Sequence, residues 1–317
     1  MRKVVSVSLG SKKRDHEVRI EFLGEEFLIS RRGTDGDISL AIQLLKELDG
    51  KVDAIGLGGV DIYIYSPGHR YVLKDGMRLK ESVRQTPVVD GSGLKNTLEH
   101  NVIRQMASDS RFNLKGKKAL MVCAMDRFGM AEALAEAGCR TLFGDFIFAL
   151  GIEKPLFSLD DLEYYAEKLI PIIANMPIDM LYPTGSVQEK EPAEKYARYY
   201  READIVAGDF HLIRKFMPRD LSGMIVITNT VTPADIKDLA ERDAMYLVTT
   251  TPEFGGRSFG TNVLEAVLVS LLGKAPDDII PEDYNNLINK LGLKPRIEEL
   301  NPLLGEVDTG KMKVPVK

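Results

Sequence analysis

From residue 115 to residue 272, short apolar segments ending in Gly, Thr, Asn or an acid alternate with longer stretches whose apolar residues recur at helical spacing. The apolar segments are KALMVCA (118–124), TLFGD (141–145), DMLYPTG (179–185), DIVAGD (204–209), MIVITN (224–229) and MYLVTTT (245–251). Helical patterns fall near 129–137, 160–174, 191–202, 211–216 and 233–242, with a last one at 262–272. A helix in every gap predicts parallel connections, and strands without polar alternation predict burial on both faces. The expected architecture is α/β: residues 114–275 form a six-stranded, doubly wound, Rossmann-like parallel sheet.

Residues 1–113 follow a different pattern and predict an N-terminal α/β cap domain. Two strands, 3–9 and 17–29, lead into GTDGDISLAIQLLKELDG, where apolar residues at 38, 41, 42, 44, 45 and 48 make one helical face. Asp35 or Asp37 is placed to cap its start and Gly50 its end. VDAIGLGG, IYIY and YVL follow, the last two as a hairpin around Pro67-Gly68. RFNLKGKK (111–118) has no apolar period and reads as the linker. Residues 276–317 add a helix near 281–291 and a tail, EVDTGKMKVPVK, that reads as a loose strand or a disordered segment.

Composition narrows the function classes. The chain has 317 residues, 44% hydrophobic and 28% charged, with a net charge of −5. Residues 1–113 carry 18 basic and 16 acidic side chains, the remainder 24 and 31. No part has the basic excess of a nucleic-acid binder. Two cysteines exclude a four-cysteine zinc site or a disulfide framework, and no H-E-x-x-H pattern marks a zinc enzyme. No apolar run approaches the ~18 residues of a membrane span, and no signal pattern opens the chain, so a cytoplasmic protein is expected.

In a doubly wound sheet the ligand sits beyond the carboxyl ends of the strands, which selects the loops to inspect. In LMVCAMDRFGMAEALAEAGCRTLFGD (120–145), a dinucleotide loop would read G-x-G-x-x-G, but Ala124 and Asp126 stand at the first two glycine positions and only Gly129 at the third. Asp145 ends the second predicted strand, where an acid takes ribose hydroxyls and favours NAD over NADP. Asp126 would repel a pyrophosphate by roughly 1–4 kcal/mol at 4 Å unless it turns away and pairs with Arg127. Asn229, after the fifth strand, is a further candidate for the cofactor's nicotinamide side. Two glycine loops suit an anionic substrate: Gly91, Ser92 and Gly93 before a helix, and Arg257 with Ser258 in PEFGGRSFGTN (252–262).

The strings VSVSLGSKKRDH, GTDGD, VVDGSGLKNTLE, DRFGMAEAL and LVTTTPEFGGRSFGTN resemble those of bacterial proteins labelled quinate 5-dehydrogenase, over nearly the whole chain. The resemblance implies a substrate domain followed by a Rossmann domain, NAD or NADP as cofactor, and a Lys–Asp pair handling the proton of the oxidised hydroxyl. The lysine-bearing NVTxPxK string of the characterised quinate and shikimate dehydrogenases is absent, so Lys95 and Asp90 are candidates for that pair by role. TTTPEFGG also places Glu253 where 2-hydroxyacid dehydrogenases carry a histidine, which argues against that class. The expected function is an NAD(P)-dependent oxidoreductase acting on a small polyhydroxy carboxylic acid. The alternatives are a Rossmann-scaffold metabolite-binding or regulatory protein without hydride transfer, and a transferase using a nucleotide-linked donor. The apolar helix VLEAVLVSLLG (263–273) is expected either in the core or at a homodimer surface.

Overall fold

The computed structural model describes residues 1–66, 69–176, 194–254, 257–258 and 260–301. The first third of the chain supplies β1 (Arg2–Ser8), β2 (His16–Phe22), β3 (Glu25–Gly33), α1 (Ile38–Leu48), β4 (Ala54–Gly58), β5 (Tyr63–Ser66), β6 (His69–Val72), α2 (Lys74–Lys80), β7 (Val88–Val89) and α3 (Ser92–Ala107). A five-stranded sheet runs β2-β3-β1-β4-β7, parallel except for the β2–β3 pair. The single strand expected at 17–29 is thus a hairpin. It turns at Leu23 and Gly24, whose φ of 53° and 80° suit a two-residue turn between twisted strands. Asp37 is the N-cap of α1, accepting from the Leu40 amide at 2.9 Å. β5 and β6 pair as the expected hairpin; its turn residues Pro67 and Gly68 lie outside the described residues.

The rest supplies β8 (Lys118–Met121), α4 (Phe128–Glu136), β9 (Arg140–Phe143), α5 (Asp145–Phe148), α6 (Leu159–Ile173), α7 (Glu194–Arg201), β10 (Ile205–Ala207), α8 (Phe210–Phe216), β11 (Ile225–Thr228), α9 (Pro233–Glu241), β12 (Tyr246–Thr249), β13 (Glu253–Phe254), β14 (Arg257–Ser258), α10 (Thr261–Leu272), α11 (Pro281–Leu291) and β15 (Arg296–Glu299). The second sheet runs β15-β12-β11-β10-β8-β9. Among the described residues five of its strands are parallel, and the sixth, β15, pairs antiparallel with β12. The strand expected at 179–185 lies outside the described residues, and the edge at β12 is covered by a segment that carried no strand expectation.

The helix expected to close the second series does not pack on it. α10 lies against β1 and β4 of the first sheet, and its apolar residues join those of β1, β3, α3 and α11 in one buried cluster. Glycine makes this approach feasible: a Cβ on Gly56 would stand 2.6 Å from the Asn262 carbonyl oxygen, and one on Gly91 2.7 Å from the Asn262 amide. Val263 through Ser270 are buried, so this helix is core and offers no dimer surface. Phe112 and Leu114 of the expected linker are likewise buried, with Phe112 edge-on to Tyr246 at 5.3 Å.

α3 and α4 pack closely where Gly129 meets Asn96: an added Cβ would lie 2.5 Å from the Asn96 carbonyl oxygen. Alanine ordinarily gains up to ~1 kcal/mol over glycine inside a helix. Here overpacking against backbone reverses the sign, and Gly129→Ala is expected to cost about 1–3 kcal/mol, read as a lower urea midpoint. An unchanged or raised midpoint would show that the helices can separate without loss.

Candidate functional site

The parallel strands of the two sheets direct their carboxyl ends at one seam. Arg14, beyond β1, places Nη1 3.2 Å from Nε2 of His211, which follows β10. Lys95, in the first turn of α3, places Nζ 3.4 Å from Asp126 Oδ2, beyond β8, and 3.7 Å from Asp61 Oδ1, beyond β4. Arg127 is next to Asp126 and almost wholly buried. Its guanidinium pairs with Glu99 of α3, lies 3.4 Å from Asp209 Oδ2 and 3.7 Å from Asp126 Oδ2. Asn229 completes the group: its Nδ2 donates to Asp209 Oδ2 at 3.2 Å, while its Oδ1 accepts from the Thr230 amide at 2.8 Å.

The exposure of these groups is layered. The cations lie deep, with the Lys95 and Arg127 side chains 9% and 3% exposed, whereas Asp126 and Asp209 are 29% and 27% exposed. Burial alone would lower the Lys95 pKa and raise those of Asp126 and Asp209. For Lys95 the carboxylates of Asp61 and Asp126 outweigh it and hold the ammonium protonated. Lys95 and Arg127 hold Asp126 below the usual carboxylate range, and His211 and Arg127 do the same for Asp209. Glu99 is the exception: burial, working against Arg127, raises its pKa. The accessible surface of the seam is therefore rich in ionised acceptors resting on buried positive charge.

The residues expected to hold a dinucleotide are arranged otherwise. Asp145 does not end β9 but opens α5, and its Oδ1 accepts from the amides of Ala124 and Met125, both at 2.9 Å. Burial pushes its carboxyl up to about 6, against the pull of those two bonds. The loop amides that would cradle a pyrophosphate are thus occupied by the acid that was expected to bind ribose. Asp126 makes no side-chain cap to α4, and its pairing is with Lys95 and Arg127. Gly129 serves helix–helix contact rather than strand–helix contact. The residues present do not fit a dinucleotide at this loop.

The candidate substrate loops also hold their own carboxylates. Asp90 does not face Lys95: its Oδ1 accepts from the amide and hydroxyl of Ser92 at 3.0 and 2.6 Å, and its Oδ2 from the amides of Ile62 and Tyr63. The Lys–Asp pair that forms is Lys95 with Asp126. The Gly91 amide donates to Glu265 Oε2 at 2.6 Å, and Glu265 Oε1 accepts from the Tyr284 hydroxyl at 2.8 Å. Gly93 packs on the same carboxyl. Burial and the neighbouring charge of Asp90 push Glu265 up to about 8. Arg257 and Ser258 lie in β14, paired with β13; their side chains are outside the described residues. Glu253 stands 3.4 Å from Arg296.

Glu99, Asp61 and Glu265 are functional candidates that the motif reading passed over. Asp209 had a signal, as the acid ending a predicted strand. Glu99 and Asp61 become visible only when α3 and the β4–β5 loop are brought against β8. Fold and seam together define a mixed α/β protein with two largely parallel sheets and a polar seam at their carboxyl ends. Residues 93–300 match the family described as Domain of unknown function (DUF8754), and the chain belongs to that family; residues 3–90 match Domain of unknown function (DUF8753). No curated protein matches the chain. Among solved structures it is similar to a galactofuranose binding protein (13% identity, 92% of this chain and 99% of that one, TM-score 0.34). It is also similar to an ABC transporter solute binding protein from Agrobacterium vitis bound with alpha-D-tagatopyranose (9%, 98% and 100%, TM-score 0.37) and to L-tryptophan dehydrogenase from Nostoc punctiforme (12%, 92% and 80%, TM-score 0.35). No helix among the described residues is long and apolar enough to cross a membrane.

Proposed function

We propose that the protein binds a small, hydroxyl-rich metabolite in the seam and does so without a dinucleotide at the β8–α4 loop. The observation that carries this reading is the occupation of the Ala124 and Met125 amides by Asp145, beside the partly exposed carboxylates Asp126 and Asp209. A pyrophosphate needs free backbone donors and meets charge repulsion here. Hydroxyl groups suit the same surface, since each can donate to an ionised carboxylate, and charge-assisted bonds of that kind are the stronger ones. Buried Lys95 and Arg127 keep those acceptors ionised and fix their positions. Residues 1–113 and 114–275 would then form two domains meeting at the seam, with α10 and α11 packed with the first sheet and β15 paired in the second.

The test is calorimetric titration of the full chain with NAD, NADP, quinate, shikimate and a set of monosaccharides, each separately. A hydroxylated compound is expected to bind, and Asp126→Ala to weaken it at least tenfold, about 1.4 kcal/mol. Micromolar binding of NAD or NADP to the wild type would overturn the proposal in favour of the oxidoreductase that the quinate 5-dehydrogenase resemblance implies.

A further inference from the structure

On another face of α3 the chain encloses a cavity of about 180 Å³, bounded by the β5–β6 hairpin, α2, the start of α3, and the turn between α10 and α11. Ser92, Gly93, Asn96 and Thr97 line it, whereas Lys95 and Glu99, on the neighbouring helical face, belong to the seam. The volume is below the 300–1,000 Å³ usual for drug-sized ligands, so the occupant is compact. A larger depression of about 620 Å³ along α1 is a different case: it is lined by largely exposed residues of one helix and the turn after it.

Two cations converge at the mouth of the smaller cavity. Arg70 of β6 lies 4.6 Å from the centroid of the Tyr63 ring, and Lys80 of α2 lies 5.1 Å from it. Lys80 Nζ also donates to the Tyr63 hydroxyl at 2.8 Å, and Tyr65, the cross-strand partner of Arg70, stands alongside. One carboxylate answers both charges. Asp277 places Oδ1 3.0 Å from Arg70 Nη1 and Oδ2 3.6 Å from Lys80 Nζ. Its side chain is 58% exposed and sits on the turn between α10 and α11, so little holds it there. Exposed pairs of this kind contribute little to stability.

We propose that this cavity is a second binding site, for a compact ligand bearing one oxyanion, and that Asp277 occupies the oxyanion position in its absence. A carboxylate or phosphate group on the ligand displaces Asp277 and bridges Arg70 and Lys80. Neutral groups of the ligand then reach Asn96 and Thr97 inside the cavity. The Tyr63 ring holds both cations in place before binding, which reduces the ordering cost at the site. The site uses none of the seam's charged residues and stands or falls separately from the reading of the seam.

The experiment titrates the full chain at low ionic strength with inorganic phosphate and, separately, L-malate, following heat and backbone amide shifts at Tyr63, Tyr65 and Lys80. Saturable binding of at least one probe is expected, and which one distinguishes phosphate from carboxylate. Removing the internal competitor in Asp277→Ala should tighten that binding at least fivefold. Arg70→Ala should weaken it at least tenfold, and Asp126→Ala should leave it unchanged. All three positions are partly or largely exposed, and a thermal melt of each variant verifies folding. Absence of saturable binding in both the wild type and Asp277→Ala, or an Arg70→Ala variant that binds as tightly as wild type, overturns the proposal.

Discussion

Arg127→Ala is expected to remove about 3–5 kcal/mol of folding stability at neutral pH, because it strands a wholly buried Glu99 without its cation. The same guanidinium also stands against Asp209 and Asp126, so its loss leaves like-charged carboxylates facing one another across the seam. The deficit should depend on pH in a definite direction. Burial already raises Glu99 above its ordinary value, and without Arg127 nothing nearby opposes burial except Lys95. The variant's Glu99 therefore takes up a proton on folding, and the variant recovers stability relative to wild type as pH falls. Urea titrations at pH 8 and pH 5 measure this. A loss under ~1 kcal/mol that is the same at both pH values would mean that water or rearrangement satisfies Glu99, and that the pair does not hold α3 against the β8–α4 loop. Arg127→Lys keeps one charge but not the planar fork that reaches Glu99 and Asp209 at once, and should fall between the two.

That pair also marks the limit of what the chain shows in one dimension. The apolar segments and the helical periods located β8, β9, β10, β11 and β12 and helices α4, α6, α7, α8 and α9 to within a few residues, because both are local consequences of what each segment must bury; the short α5 carried no helical expectation. The hairpin turn at Leu23-Gly24 was missed because leucine gives no turn signal, although Gly24 does. β15 was missed for a different reason. RIEE is a short, charged edge strand, and only the open edge of β12 makes it a strand. The placement of α10 could not be read from its pattern at all, since a helix apolar on most faces fits any sheet equally well.

The site was legible in the same partial way. Strand ends nominated Asp126, Asp145, Asp209 and Asn229, and all four cluster near the carboxyl end of the second sheet. Their roles were not legible, because a role depends on which donors are within reach. Asp145 stands at the right distance in sequence for a ribose acid, but a one-residue gap after β9 turns it back onto Ala124 and Met125. Lys95 and Asp90 are five residues apart around the start of α3, and the helix carries Lys95 away from Asp90 toward Asp61 and Asp126. Glycine-rich loops with capping acids imitate anion sites in sequence, since the same amides serve an internal carboxylate or an external one.

Glu265 takes this substitution of an internal carboxylate furthest, and it dictates the second large expected effect. The group faces Asp90, Gly91, Lys95 and Tyr284, and burial dominates, so its carboxyl holds a proton up to about pH 8 in the folded chain against an ordinary 4.5. Below 4.5 both folded and unfolded chains carry the proton and the contribution is complete. Between 4.5 and about 8 folding takes up a proton, and the contribution falls as pH rises; above that range it is gone. The span corresponds to roughly 4–5 kcal/mol at 1.36 kcal/mol per unit. Asp145, raised to about 6, adds a smaller decline of the same sign over the acidic part of that range. Glu265→Gln keeps an oxygen to accept from Gly91 or from Tyr284 and cannot ionise. Denaturant titrations from pH 5 to pH 9 should show a steep decline for the wild type and a much shallower one for Glu265→Gln, with the variant the more stable at pH 9. Parallel curves would mean that Glu265 is ionised in the folded chain throughout. Its charge would then have to be balanced by Lys95, and the seam and the core beside the first sheet would share one electrostatic network.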